Sequence, residues 1–229
     1  AWSPGGGTPF EAIRKLGPGQ GMRVVAGKVK KIWSWYQLPV FTHGPRSQDV
    51  RSACEGVTDH LRGAVRHQLI SDVPVGAFLS GGLDSSAIVS MAREVSSRID
   101  CFTISIPGGP DQGSHNDLPY ARMAAKHLDV PLHVIEVDSS TFARDLVKMV
   151  YMLDEPQADP AALNVLYISQ LARRNGIKVL LSGVGGDDLF SGYRRHAAIQ
   201  MEPWWTWVPQ GIRKLAPDVV EGLDSRVSS

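Results

Sequence analysis

VPVGAFLSGGLDSS, residues 73–86, is the stretch of sequence that decides the fold. It begins with an apolar run over 73–79, whose length and composition predict a buried strand. A Ser-Gly-Gly turn follows, and residues 85–95 have the apolar spacing of a helix that Asp84 or Ser85 can cap. A short buried strand that passes through a glycine-rich turn into a helix is typical of a layered α/β protein.

The same alternation continues on both sides of this stretch. Apolar residues at helical spacing predict further helices over residues 50–70, 117–128, 140–153 and 160–175. Short apolar runs predict further strands over residues 101–106, 132–137 and 177–181, and a strand or hairpin over 22–29. Strands that alternate with helices of this length predict a doubly wound, mostly parallel sheet with helices on its faces.

The turn after the first strand has the composition of an anion-binding loop. Gly81 and Gly82 let backbone N–H groups approach an anion, and the helix N-terminus adds unsatisfied donors and a partial positive charge. Ser80, Ser85 and Ser86 add hydroxyl groups. No Gly-Lys-Ser/Thr follows, so this is not a Walker A loop. The pattern favours phosphate or pyrophosphate as the ligand.

Asp84 lies in the same loop and would repel a phosphate unless a cation lay between them. Mg²⁺ is the hard cation that carboxylates and phosphate oxygens share, so Asp84 indicates a magnesium site. The alternative interpretation is a glycine-rich strand–helix turn in which Asp84 only caps the helix.

A second loop, LSGVGGDD over residues 181–188, resembles the first in composition and position. Both loops follow an apolar strand, begin Leu-Ser-Gly and then present an aspartate. Because ligands bind at the carboxyl ends of the strands in such sheets, we expect Asp84 and Asp187 to share one Mg²⁺. The alternative for this loop alone is a solvated acidic turn. Arg194 follows this loop and could bind a pyrophosphate or a substrate carboxylate. The alternative interpretation is that it lies at the start of a solvated helix.

Composition excludes several other classes of protein. The chain has 229 residues and a net charge of +1, with no basic bias that would indicate a nucleic-acid partner. No apolar run reaches the roughly 18 residues that a membrane span needs. Cys54 and Cys101 are far apart and form no metal-ligand pair, so we interpret them as two buried free thiols of a cytoplasmic protein.

Several stretches around these loops resemble the glutamine-hydrolysing asparagine synthetases. SGGLDSS resembles the pyrophosphate loop of the ATP pyrophosphatases. That group includes asparagine, argininosuccinate, GMP and NAD synthetases, and this motif alone does not distinguish among them. The asparagine synthetases are singled out by SDVPVG (71–76), by DEPQADP (154–160) with Tyr167 and Ser169 after it, and by KVLLSGVGGDDLFSGYRRH (178–196). The resemblance covers about residues 50–200.

The resemblance implies an ATP-pyrophosphatase fold and a role for each loop. ATP would bind with its adenosine against Leu79, Ile104, Ser182 and Gly183. Its pyrophosphate would lie in the loop formed by Ser80, Gly81, Gly82, Leu83, Ser85 and Ser86, with Mg²⁺ on Asp84 and Asp187. The aspartate side-chain carboxylate would attack the α-phosphate, and ammonia released from glutamine would then displace AMP. The site needs only positioning and charge stabilisation for the first step, so it needs no protein nucleophile.

The resemblance also implies that the chain is a fragment. Residues 1–41 would be the end of a glutaminase domain with its linker, and 42–229 a synthetase domain truncated at its C-terminus. The family's N-terminal Cys nucleophile has no counterpart, and its catalytic Lys is not identifiable, since Lys214 lies in a context that does not match. The resemblance is also compatible with a homodimer of the full-length protein.

Two departures from the family lie in the second loop, and the first of them bears on the substrate. Val184 stands where many asparagine synthetases have Glu, and Asp188 where Glu is common. Valine can neither ligate a metal nor handle a proton, which leaves open an acceptor carboxylate other than aspartate. A third hypothesis is a binding module that retains the nucleotide fold without catalysis. Three further features have both a ligand-binding and a structural interpretation: Asp154 with Glu155, Asp159, and the cluster Trp204, Trp205 and Trp207.

Overall fold

The computed structural model describes residues 5–38, 49–106, 117–153, 159, 161–193 and 196. Its strands are β1 (Gln20–Val25), β2 (Lys28–Ser34), β3 (Val75–Phe78), β4 (Asp100–Ser105), β5 (Leu132–Glu136) and β6 (Val179–Leu181). Its helices are α1 (Val50–Gln68), α2 (Leu83–Val95), α3 (Leu118–Leu128), α4 (Ser139–Met152), α5 (Ala161–Arg174) and α6 (Gly186–Phe190). The chain divides into two compact units, Ala1–Ser182 and Gly183–Ser229.

The first unit is built on a four-stranded parallel sheet with the order β5-β4-β3-β6. In β3, Ala77 pairs with Cys101 of β4 on one side and with Leu181 of β6 on the other. These strands are apolar on both faces because each face is covered by helices. The predicted α/β fold with a parallel sheet is therefore confirmed.

The helices α1 to α5 of this unit lie in two layers, one on each face of the sheet. On one face Val65 of α1, Val89 of α2 and Ala125 of α3 pack in one core cluster with Ala77 and Cys101. On the other face α5 packs through Ile168 and Ala172 against Phe102, and α4 joins it through Met149. Alternate residues of each strand thus face opposite layers, as the period of two in a β-strand requires.

The strand order reverses beside β3. From β3 the chain adds β4 and then β5 on one side, and it returns to place β6 on the other side of β3. Such a reversal opens a crevice at the carboxyl ends of the two strands that flank it, and this crevice is where open α/β sheets bind ligands. Here the flanking strands are β3 and β6.

The strands β1 and β2 form a separate antiparallel hairpin. Its turn residues Ala26 and Gly27 both have positive φ, at 50° and 71°, which suits the right-handed twist of the hairpin. Apolar side chains such as Ile32 and Trp33 are exposed on it. The predicted boundary between domains near residue 42 stays a prediction.

Most of the predicted elements are confirmed, with ends that agree within about two residues, although the hairpin predicted over 22–29 extends to Ser34. The short helix α6 was not predicted, because a five-residue helix is too short to show a period. The prediction that both cysteines are buried was wrong, since Cys54 is exposed while Cys101 is buried. Among the residues described, no helix has the length and apolar character to cross a bilayer.

Candidate active site

The loop Ser80–Ser86 joins the carboxyl end of β3 to α2 and so lies at the edge where the strand order reverses. Leu79 stands just before it, and its backbone N–H donates to the carbonyl oxygen of Phe102 at 3.0 Å. The Leu79 side chain is only 1% exposed and belongs to the core. Leu79 therefore could contact a nucleotide only through its backbone, whereas Ile104 near the end of β4 is partly exposed.

Two serine hydroxyls hold the loop in shape. Ser85 Oγ accepts from the backbone N–H of Ser80 at 3.3 Å, lies 3.0 Å from Ser80 Oγ and donates to the Gly82 carbonyl at 3.2 Å. Ser80 Oγ in turn accepts from the Gly82 N–H at 3.3 Å. The Ser85 hydroxyl thus makes its hydrogen bonds within the loop, and Ser85 is buried, with 8% of its surface exposed. In this arrangement Ser85 shapes the loop, and its predicted contact with a ligand stays a prediction.

Gly81 fixes the position of the loop against α3. Its φ is +83°, and a Cβ at this position would collide with the backbone of Tyr120 and Ala121. Both the positive φ and the close approach require glycine here. Gly81 therefore holds the loop against the first turn of α3.

The N-terminus of α2 offers backbone donors to a ligand. The N-cap is Gly82, which makes no side-chain capping hydrogen bond, so the prediction that Asp84 or Ser85 caps this helix was wrong. The first helical hydrogen bond runs from the Ser86 N–H to the Gly82 carbonyl at 3.1 Å. The N–H groups of Leu83, Asp84 and Ser85 precede it and carry the positive end of the helix dipole. This arrangement can hold an anion.

Asp84 lies in the first turn of α2 and is partly exposed. Its carboxylate makes no hydrogen bond or ion pair with the part of the chain that the structure describes. Ser86 Oγ is buried and has no hydrogen-bond partner there, while the Leu83 side chain is 85% exposed. A carboxylate that no described residue neutralises, beside a helix N-terminus that can hold an anion, suits a divalent cation. Within the described ranges, no three His, Cys, Asp or Glu side chains cluster as a protein-only metal site.

The second loop spans the boundary between the two units. Ser182 ends the first unit and is exposed, whereas Gly183 and the residues after it belong to the second. There Gly185 has a φ of +99° and caps α6, and a Cβ at Gly192 would collide with the Asp187 carboxylate. Val184 is 90% exposed. The shared Mg²⁺ site of Asp84 and Asp187 stays a prediction, since the two residues belong to different units.

Several predicted residues lie outside the described part of the chain. They are Arg194, Asp154, Glu155, Trp204, Trp205, Trp207 and Lys214. Asp159 is described, and its carboxylate accepts from the Ala161 N–H at 2.9 Å. This contact favours the structural interpretation of Asp159, as a residue that satisfies a donor at the start of α5.

The helix α5 carries Tyr167, which is buried, and Asn164, which is partly exposed but has a buried Oδ1 atom. The Tyr167 hydroxyl donates to the Asp145 carboxylate at 3.0 Å, and burial together with that carboxylate raises the pKa of Tyr167. Asn164 is different, because its Oδ1 is buried and has no partner among the described residues. Asn164 was not predicted from the sequence, although a polar residue in the apolar face of an amphipathic helix was a visible signal.

A cavity of about 690 Å³ lies at the opposite, amino-terminal edge of the sheet. Its lining includes Val75 and Asp100, which begin β3 and β4, and Ile177, which precedes β6. At its wall Asp100 accepts from His133 at 2.9 Å and from Arg98 at 3.1 Å. Burial alone would raise the pKa of Asp100, but these hydrogen bonds outweigh it and lower that pKa. The cavity thus lies at the edge of the sheet opposite the loop Ser80–Ser86.

Comparison with known proteins identifies relatives over most of the chain. A family model described as asparagine synthase matches residues 56–226. Asparagine synthetase (glutamine-hydrolyzing) 1 of Bacillus subtilis is 33% identical over 160 residues, which are 69% of this chain and 24% of that protein. The protein named amidase chry2 of Gibberella zeae is 27% identical over 226 residues, 90% of this chain and 33% of that protein.

The chain thus spans about a third or less of the length of these relatives. Among solved structures, NMN synthetase from Francisella tularensis is 16% identical, with a TM-score of 0.37 over 57% of this chain and 53% of that one. A likeness of that extent decides nothing further about the fold or the site.

Proposed function

The chain belongs to the asparagine synthase family, and from that premise we propose that it is the part of a ligase that activates a carboxylate with ATP and then transfers ammonia to it. The observation that carries the proposal is the loop Ser80–Ser86 at the carboxyl end of β3, beside the reversal of strand order. The proposed substrate is aspartate, and the products are asparagine, AMP and pyrophosphate.

The loop residues would act mainly by position and charge. The N–H groups at the start of α2 would bind the β- and γ-phosphates and stabilise the charge that develops as pyrophosphate leaves. The hydrogen bonds between Ser80 and Ser85 keep these donors in place before the substrate arrives. With the α-phosphate held still, the substrate carboxylate can attack in line, which supplies much of the rate enhancement.

Asp84 and Asp187 are the proposed magnesium ligands. The fit is supported for Asp84 by its partly exposed carboxylate, which no described residue neutralises. Bound Mg²⁺ would neutralise phosphate charge and so favour departure of pyrophosphate. Arg194 is proposed to contact the pyrophosphate or the substrate carboxylate. The glutaminase domain as the source of ammonia, a homodimer and a cytoplasmic location are proposals of the same kind.

A second candidate is the same chemistry on a different carboxylate, in polysaccharide or natural-product synthesis. Val184 favours it, since this side chain is uncharged and 90% exposed in the second loop. A pocket that contacts an acceptor through an apolar side chain discriminates differently from one that uses a carboxylate. The chemistry at Asp84 and in the first loop would be unchanged.

The test is pyrophosphate release by the full-length protein with Mg-ATP and ammonium, with and without aspartate. Under the proposal, release depends on aspartate and falls by about 100-fold or more in Asp84→Asn and in Asp187→Asn. Asp129→Asn is the charge-matched control, because the Asp129 side chain is 99% exposed at the end of α3. We expect this control to keep the full rate.

Each other outcome has a definite meaning. Release with another carboxylate but not with aspartate supports the second candidate. Nucleotide binding without release for any carboxylate supports a binding module. A rate that Asp84→Asn leaves unchanged contradicts the role of Asp84.

A further inference from the structure

Asn164 has a buried amide oxygen that no hydrogen bond from the described residues satisfies. Its Oδ1 is shielded from solvent and has no partner there. A buried polar atom without a partner destabilises a fold, so nearly all such atoms in native proteins are paired. An exception calls for an explanation in terms of function or of a missing ligand.

Two other polar side chains, the buried Tyr167 on α5 and the exposed Asn175 just after it, are satisfied. At the far end of the helix, the Asn175 amide donates to the Leu171 carbonyl at 2.9 Å. In the middle, the Tyr167 hydroxyl donates to Asp145. Among these three described side chains, only Asn164 has a buried polar atom without a partner.

The position of Asn164 places it at the edge of the sheet that carries the loop Ser80–Ser86. The helix α5 leads into β6, and a helix that connects parallel strands runs antiparallel to them. Its first turn accordingly lies at the carboxyl edge. Asn164 precedes by one turn Ile168, which packs in the core cluster that also contains Ile104. Residues four apart share one face of a helix, so Asn164 extends the sheet-facing side of α5 toward the carboxyl edge.

We propose that Asn164 is a specificity-determining residue whose Oδ1 accepts a hydrogen bond from an N–H or O–H donor of a bound substrate. The inference rests on the proposed function, because it places the substrates at this edge. Each substrate carries such donors: the adenine amino group and ribose hydroxyls of ATP, and the amino group of an amino-acid acceptor. The missing partner of the amide is one of these.

The test compares substrate preferences in the full-length protein, because ratios are insensitive to how much enzyme is active. Asn164→Leu removes the acceptor at similar volume, and Asn164→Asp retains an acceptor oxygen. Asn175→Leu is the matched control just beyond the other end of α5, at the opposite edge of the sheet. The probes are ATP against purine riboside triphosphate, ATP against 2′- and 3′-deoxy-ATP, and aspartate against succinate.

The expected result is that one of these preferences, measured as a ratio of kcat/KM, falls by about three- to tenfold in Asn164→Leu, the range for one neutral hydrogen bond. Asn164→Asp and Asn175→Leu keep the wild-type ratio. The probe pair whose ratio falls identifies the donor as the adenine amino group, a ribose hydroxyl or the amino group of the acceptor.

All ratios unchanged in Asn164→Leu would overturn the proposal, whatever the absolute rates. Failure of the proposed function looks different, because wild type then releases no pyrophosphate with any carboxylate. In that case the dissociation constants of the two members of each probe pair are measured by calorimetry, and their ratios are compared. Their equality in wild type and Asn164→Leu again overturns the inference, and a fall in one of them supports it.

Discussion

Replacing Gly81 by alanine tests how the first loop is held. Two structural features oppose a side chain at this position: φ is +83°, and a Cβ would collide with the backbone of Tyr120 and Ala121. Two other glycines, Gly176 and Gly82, separate these two effects. Gly176 has a φ of +79°, but no atom lies within 4 Å of the place that its Cβ would occupy. Gly82 has a φ of −70°, and a Cβ there would only touch Ser80 Oγ at 3.4 Å.

The expected costs follow from these differences. A positive φ costs alanine about 1–2 kcal/mol, and forcing backbone apart in a packed region costs about 1–3 kcal/mol more. Gly81→Ala should therefore destabilise the fold by about 2–5 kcal/mol, and Gly176→Ala by about 1–2 kcal/mol. At Gly82 the loss of a good N-cap and the smaller entropy of the unfolded chain roughly cancel.

The assay is urea denaturation followed by circular dichroism, with thermal melting as a second measurement. For a chain of this size 1 kcal/mol corresponds to about 2–4 °C in Tm, so Gly81→Ala should melt on the order of 10 °C below wild type. Because the side chain would push the loop away from α3, the rate of pyrophosphate release by Gly81→Ala should also fall, whereas Gly176→Ala should keep the wild-type rate. Stability of Gly81→Ala within about 1 kcal/mol of Gly82→Ala would refute the described packing of the loop on α3.

Three further predictions concern other parts of the chain. Tyr167→Phe should lower the free energy of unfolding by about 1–2 kcal/mol, because it removes the hydrogen bond to Asp145; an unchanged urea midpoint would contradict this. Hydrogen bonds from Ser140 and Thr141 lower the pKa of Asp138, so its contribution to stability is present above the unfolded pKa of about 4 and is lost as pH falls below it. Asp138→Asn should therefore lose less stability than wild type between about pH 5 and 2, and equal pH profiles would refute that assignment. Cys54 is exposed, whereas burial and, second, the nearby Asp100 charge raise the pKa of Cys101 to about 12. The Cys54 thiol should therefore react rapidly with a disulfide reagent at about pH 8, and the Cys101 thiol only in denaturant. Two rapidly reacting thiols in the folded protein would contradict the burial of Cys101.

Local sequence patterns were enough to predict the elements of the sheet and its helices. The period of two or 3.6 in apolar residues reports which face of a segment is buried, and this is a local property. The prediction was wrong at the start of α2, where the structure uses Gly82 as the N-cap. Capping depends on backbone angles in the loop, and Gly, Asp and Ser are all acceptable residues for such a position.

The sequence by itself determined the α/β alternation, the two Gly-Ser-Asp loops and their positions after strands, because each depends on residues close together in the chain. Only the tertiary structure decided that β6 lies beside β3, that Gly81 packs against α3 and that Ser85 is used within its own loop. The buried Oδ1 of Asn164, which has no partner among the described residues, also belongs to this group. These features depend on contacts between segments far apart in sequence, and the apolar pattern that drives such contacts specifies which faces are buried without specifying which partner covers them.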